Sequence, residues 1–181
     1  MTGPRVLITY HSDNGQTARI ADHIAKRLRD VSATVSVETL EDNPDPGSFD
    51  GVIVGDPIHV GHHSKALRRW LGEHVDAVEQ RPNAFFQVSL SSATADETHT
   101  TEARRMVDEL LGETDFDPDL VGLFAGALTY RRYGWLKRTA MKRIAAKETG
   151  DVDTSHDYEY TDWDAVDAFV DDFLAHLNAT D

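Results

Sequence analysis

The residues best placed to do chemistry form one polar stretch, His11-Ser12-Asp13-Asn14-Gly15-Gln16-Thr17, which follows the apolar run Val6-Leu7-Ile8-Thr9-Tyr10. Ile20, Ala21, Ile24, Ala25 and Leu28 then recur at three- and four-residue spacing, which predicts a helix that begins inside the stretch. The first turn of a helix leaves backbone N–H groups unpaired and carries a partial positive charge. Ser, Asn, Gly and Thr ahead of it can therefore hold a phosphate without Lys or Arg. The plain alternative is a turn between a strand and a helix, with Ser12 or Asn14 as the cap. Two familiar phosphate loops are excluded: the chain has no G-x-x-x-x-G-K-[ST], and no G-x-G-x-x-G follows this strand.

Three further groups of residues invite a chemical reading. His59, His62 and His63 share one loop, and only histidine titrates near neutral pH without help. His62 and His63 read as solvated loop residues, and His59 stays open between proton carrier and solvated residue. Metal binding by the trio lacks a neighbouring carboxylate pattern. Arg131 and Arg132 follow the fifth strand closely, where forked hydrogen bonds to carboxylates, or ion pairs with the chain's own aspartates, are both available. The chain has no cysteine, which removes disulfides, thiolate catalysis and Cys-ligated metal centres, so redox chemistry requires a bound organic cofactor.

The elements that must position these residues alternate. Strands are predicted at 6–10, 34–38, 52–55, 84–90 and 120–125. Helices are predicted around Leu67 to Val75, Ala103 to Leu111 and Trp163 to Leu177, the last opened by a Thr161-x-x-Asp164 capping box. This order implies an α/β fold with a parallel sheet covered on both faces. The alternating Thr34-Val35-Ser36-Val37-Glu38 suits an edge strand, so the expected strand order is 2-1-3-4-5. In such a sheet the loops at 11–17, 56–61 and 89–94 converge at the carboxyl ends of the strands. Residues 126–160 fall outside the repeat and read as an insertion near the fifth strand. It holds a basic helix from Leu136 to Lys147 and an irregular acidic return. The 181 residues are expected to form a single domain.

Charge narrows the function classes. The formal net charge of −14 argues against nucleic-acid binding, which needs clustered Lys and Arg. Asp outnumbers Glu by 22 to 10 and Lys supplies 5 of 18 basic residues, a bias that resembles proteins adapted to high cytoplasmic salt. Residues 131–147 nevertheless carry seven cations and no acid, which leaves −21 for the rest of the chain. No apolar stretch approaches membrane-spanning length and no leader pattern opens the chain, so a cytoplasmic location is expected. Trp135, Leu136, Ala140, Met141 and Ile144, set among the basic residues, read either as an amphipathic helix for an anionic membrane surface or as a helix packed on the sheet.

The order strand, Ser-x-x-Gly-x-Thr, helix resembles the phosphate loop of flavodoxin-like proteins. Four segments narrow the resemblance: 13–17, Ile58-His59-Val60-Gly61-His62-His63, the run from Ala125 to Tyr133, and Tyr160-Thr161-Asp162-Trp163. Together they are similar to the quinone-dependent protoporphyrinogen IX dehydrogenases. The resemblance implies a flavodoxin-like three-layer sandwich. It also implies FMN held by Ser12, Asp13, Asn14, Gly15, Gln16 and Thr17. The flavin ring would lie between Pro57, Ile58, His59, Val60 and Gly61 on one side and Ser89, Leu90, Ser91 and Ser92 on the other. It implies transfer of reducing equivalents from a porphyrinogen to menaquinone or another quinone. In that setting His59 reads as a proton carrier near the flavin or as a solvated residue, and Arg131 and Arg132 read as partners of substrate propionates or of the chain's own aspartates. A peripheral contact with the cytoplasmic face of the cell membrane would run through 131–147. The reading from a different class is a long-chain flavodoxin that carries electrons between protein partners, for which an acidic surface is suited.

Overall fold

Alternation within each strand decides which helix covers which face of the sheet. In a computed structural model that describes residues 3–93, 97–128 and 135–180, Val6 and Ile8 of β1 (Arg5–Tyr10) face one side and Leu7 the other. Beside them, β3 (Gly51–Pro57) sends Ile53 to the first side and Val52 and Val54 to the second. In β4 (Asn83–Ser89), Ala84 and Phe86 join the first and Phe85 the second. The first face is covered by α1 (Gln16–Asp30) and α5 (Trp163–Ala179). The second is covered by α2 (Lys65–Glu79) and α3 (Glu97–Thr114). Two separate apolar layers result, each filled by side chains worth about 1.5–3 kcal/mol apiece on full burial.

The sheet is parallel throughout, in the order β2-β1-β3-β4-β5, with β2 at Thr34–Thr39 and β5 at Leu120–Ala125, as the sequence pattern implies. Strand β2 is only half-buried, which is why its residues alternate where those of β3 and β4 do not. The order reverses between β1 and β3, and ligands of such sheets sit beyond the strand ends at this point.

Four details differ from the sequence reading. Strand β3 continues through Asp56 and Pro57, which read as loop, because Asp56 and Gln87 stay in register with each other. Strand β4 stops at Ser89, and Leu90–Ala93 wind into a 3-10 turn. The acidic return is not wholly irregular: Tyr158–Glu159 (β7) pairs antiparallel with Ala127–Leu128 (β6), and Tyr160 N donates to Gly126 O at 3.2 Å. The cap of α5 is Asp162, whose Oδ1 accepts from Asp164 N and Ala165 N, each at 3.1 Å; the Thr161 hydroxyl is used elsewhere.

Between β6 and β7 runs α4 (Trp135–Glu148), one residue longer at each end than the spacing predicts. Ala145 and Leu128 are buried together, with Leu90, Met141, Tyr158 and Tyr160 packed around them, so α4 sits against the 3-10 turn after β4. No helix among the described residues is long and apolar enough to cross a membrane.

Close approach of β3 to the aromatic layer requires a glycine at position 55. A Cβ built there lies 2.1 Å from Cζ of the fully buried Phe86 ring. Gly55→Ala is therefore expected to cost about 1–3 kcal/mol or more through overpacking. The measurement is urea denaturation, where the midpoint should fall while the slope stays unchanged.

Candidate functional site

The carboxyl ends of β1, β3 and β4 open onto a cleft of about 310 Å³. Its walls include eleven of the residues singled out in the sequence: Asn14, Gln16, Thr17, Pro57, Ile58, His59, Val60, Gly61, Ser89, Leu90 and Ser91. Ser12, Asp13, Gly15 and Ser92 lie just behind these walls and do not line the cleft. Arg131 and Arg132 lie outside the described residues.

At one end of the cleft stands the start of α1. Gly15 takes the left-handed conformation there, with φ 91°, and lends no side chain to the cap. The Ser12 hydroxyl supplies that function, accepting from Gly15 N at 3.1 Å and Ala18 N at 3.4 Å. The capping and cradle readings of the loop are thus distributed over different residues: Ser12 organises the turn. The first-turn N–H groups of Gln16 and Thr17 are ones that a helix leaves without intrahelical partners. Thr17, 2% exposed, lines the cleft beside them.

Gln16 is differently employed from the sequence reading. Its amide donates to Thr161 Oγ1 at 2.7 Å and to Glu159 Oε1 at 3.3 Å, and its Oε1 accepts from Arg19 at 3.2 Å. Thr161 in turn donates to Ala125 O at 2.8 Å. Arg19 also reaches Glu159 at 2.9 Å and lies over the Trp163 ring. The Tyr160-Thr161-Asp162-Trp163 motif therefore ties the head of α1 to the end of β5.

The 57–62 segment forms the next wall. His59 and His62 exchange backbone hydrogen bonds, and Val60 and Gly61 between them have φ of 51° and 76°, the geometry of a tight hairpin turn. Val60 is a β-branched residue at positive φ and is 70% exposed, an arrangement that costs on the order of 1–3 kcal/mol. His59 is half-exposed on the cleft. His63 is not solvated as its sequence setting suggests. It is buried against Phe85, with Nδ1 3.1 Å from Oδ2 of Asp56, which is itself fully buried. The Asp56 carboxylate also accepts from Ser64 N at 2.8 Å and Ser64 Oγ at 2.6 Å, so it anchors the hairpin to the start of α2.

Behind the hairpin lies a second cavity lined by His11, Asp13, Glu41, Pro57, His59 and His62, among others. Asp13 faces this side, 3.3 Å from His11 Nε2 and 3.8 Å from His59 Nδ1. Partial burial alone would lower the His11 pKa. The hydrogen bond and charge of Glu41, with Asp56 and Asp13 nearby, outweigh burial and hold it above the ordinary histidine value. No group of three or more His, Asp or Glu among the described residues is arranged to hold a metal.

The remaining wall was not legible residue by residue. Glu102 and Met106 of α3, Gly126 and Ala127 beyond β5, and Met141, Ile144, Lys147 and Glu148 of α4 complete the cleft. The apolar side of α4 thus faces the cleft, and Lys142 and Arg143 point to solvent. Their spacing on α4 is visible in the sequence; what they face depends on the β6–β7 pairing, which carries no sequence periodicity of its own.

Residues 7–155 match the model of the flavodoxin domain. Over 175 residues the chain is 30% identical to the protoporphyrinogen IX dehydrogenase [quinone] of Escherichia coli (strain K12), covering 96% of each chain. It is 32% identical to the protein of the same name from Leishmania major, over 95% of this chain and 75% of that one. In structure it resembles oxidised flavodoxin 1 from Bacillus cereus, with a TM-score of 0.53 at 17% identity over 95% of this chain and 98% of that one. The flavodiiron core of Flv1 from Synechocystis matches with a TM-score of 0.58 at 16% identity, over 99% of this chain and 37% of that one.

Thr161→Val removes one acceptor from Gln16 and one donor from Ala125 O. It should destabilise the protein by about 1–3 kcal/mol, the cost of leaving buried polar groups unpaired, and Thr161→Ser should restore most of the loss. Urea denaturation of both variants checks this. The raised His11 value has its own sign: its contact with Glu41 stabilises the fold fully below about pH 6.5 and fades as pH rises through the folded pKa. Denaturation midpoints between pH 5 and 9 should show that loss in the parent and not in His11→Gln.

Proposed function

The chain belongs to the flavodoxin-domain family, in the group of the quinone-linked protoporphyrinogen IX dehydrogenases, and from that premise we propose that it is an FMN-dependent oxidoreductase which oxidises protoporphyrinogen IX with a quinone as acceptor. Membership of the family implies FMN as the cofactor. The observation that carries the reading is the cleft itself, which joins a helix start suited to phosphate at one end to a Met- and Ile-lined wall contributed by α4 at the other.

The residues fit the cofactor. A helix start with a buried threonine suits the phosphate, and two loops with apolar faces, Ile58 and Val60 against Leu90, suit a flat ring. Backbone N–H groups of Gln16 and Thr17, the Thr17 hydroxyl and Asn14 would hold the phosphate, with Gly15 and Ser12 shaping the turn. Pro57 to Gly61 and Ser89 to Ser91 would bound the ring. FMN when bound supplies acceptance and release of electron pairs or single electrons. Around it, the hairpin and α4 exclude water from the cleft, and His59 offers a titratable group on its edge. Lys147 places a cation on the α4 wall for a substrate carboxylate. Arg131 and Arg132 keep the propionate-binding role proposed from their forked donors and their place after the fifth strand. Lys142 and Arg143, exposed on the outer face, support a peripheral contact with an anionic membrane where a quinone is found. Because Met141 and Ile144 are turned to the cleft, that contact relies on charge and is screened by salt.

The net charge of −14 favours the electron-carrier reading as an alternative, since an acidic surface steers basic protein partners. One experiment separates the two. Acid extraction of the purified protein should release FMN. The loaded protein should then oxidise protoporphyrinogen anaerobically when a quinone is supplied, and a carrier would release FMN and leave the tetrapyrrole unchanged. Thr17→Val should weaken FMN binding by about 1.5–3 kcal/mol, the value of a hydrogen bond to a charged group, as read by quenching of flavin fluorescence.

A further inference from the structure

We propose that Glu148 accepts the pyrrole N–H groups of a porphyrinogen in the cleft and takes the protons they release. The inference rests on the porphyrinogen reading above and assigns a residue that the sequence pattern did not single out.

Glu148 ends α4 with its side chain 9% exposed, and it lines the cleft. Its Oε2 has no hydrogen-bond partner among the described residues, and His99 Nε2 stands 3.5 Å from it. Buried carboxylates are ordinarily held by donors. Asp56, equally hidden, accepts from Ser64 twice and pairs with His63. Glu148 differs in that the residue lines the cleft, beside Met106, Met141 and Ile144, while its buried Oε2 accepts no hydrogen bond.

An ionised carboxylate only accepts hydrogen bonds, so the ligand edge that meets it must present donors. A porphyrinogen does so. Its saturated bridging carbons let the pyrrole rings tilt until their N–H groups converge on one acceptor, and the soft thioether and aliphatic wall receives the rings. The oxidised, planar product keeps fewer inner N–H groups and cannot tilt them outward, so the same carboxylate favours the reduced macrocycle over the oxidised one.

The proton balance follows. Over the three two-electron oxidations the macrocycle loses three hydrides from bridging carbons and three protons, two of them from pyrrole nitrogens and one from the remaining bridging carbon. FMN, when bound, would accept the electron pairs, with a quinone as the final acceptor. Each N–H proton goes to Glu148 Oε2, and His99 on α3 stands on the path from there to solvent. The other titratable groups on the cleft are Glu102 on α3, Lys147 on α4 and His59 on the hairpin.

The test is anaerobic stopped-flow mixing of the FMN-loaded protein with protoporphyrinogen IX, following loss of flavin absorbance across pH 5–9. Glu148→Gln keeps the shape and removes the base. Its bleaching rate should fall by about 10²–10⁴-fold, the usual worth of a positioned base. FMN affinity, the urea midpoint and reoxidation of the dithionite-reduced flavin by a quinone should stay at parent values. His99→Gln should slow bleaching by less than Glu148→Gln does. A Glu148→Gln protein that bleaches at the parent rate overturns the proposal, as does a slow one whose FMN affinity or stability has fallen alongside. If the parent flavin is reduced by dithionite and not by protoporphyrinogen, the porphyrinogen reading itself fails and takes this one with it.

Discussion

The head of α1 is held by a side-chain amide whose partners lie more than a hundred residues away. Gln16, 7% exposed, must satisfy its donors, and it does so on Thr161 and Glu159. That requirement brings the acidic return back across the end of the sheet. Thr161 then reaches Ala125, Tyr160 meets Gly126, and the β6–β7 pairing follows from the same approach. With β6 and β7 so placed, α4 packs on Leu128, Tyr158 and Tyr160 and on the turn at Leu90, and the cleft acquires its far wall. The burial of one side-chain amide at a helix start therefore bears on both ends of the site.

Much of the fold was legible because its signals are local. The continuous apolar runs of β1, β3 and β4 and the three- and four-residue spacing on the helices report burial that each element arranges for itself. Strand order followed from one half-polar strand and the rule of right-handed crossovers. The site was legible where it coincides with strand ends, at 14–17, 57–61 and 89–91. It was not where a residue's task depends on a distant partner. Gln16 looks like a phosphate ligand in sequence because nothing nearby says that Thr161 will claim it. His63 looks solvated because the burial of Asp56 depends on β3 extending two residues further than its apolar run. The wall from Glu102 to Met106 and from Met141 to Glu148 was hidden for the same reason.

The charge distribution takes on meaning once α4 is placed. A cationic helix on a chain of net −14 could have turned either side to the body of the protein. It turns Met141, Ile144 and Ala145 inward and leaves Lys142 and Arg143 outside, so its apolar groups are already committed within the molecule. The charge it presents outward responds to ionic strength over a screening length of about 8–10 Å at ordinary salt and about 3 Å at molar salt.

The hairpin at 57–62 separates two cavities, and Pro57 and His59 belong to the linings of both. It is a partition one turn thick, pinned at its base by Asp56 and hinged on two residues of positive φ. Volume gained on one side by tilting such a partition is volume lost on the other. A ligand that pushes the partition from one side and a contact that holds it from the other are therefore linked, each shifting the other by the same free energy.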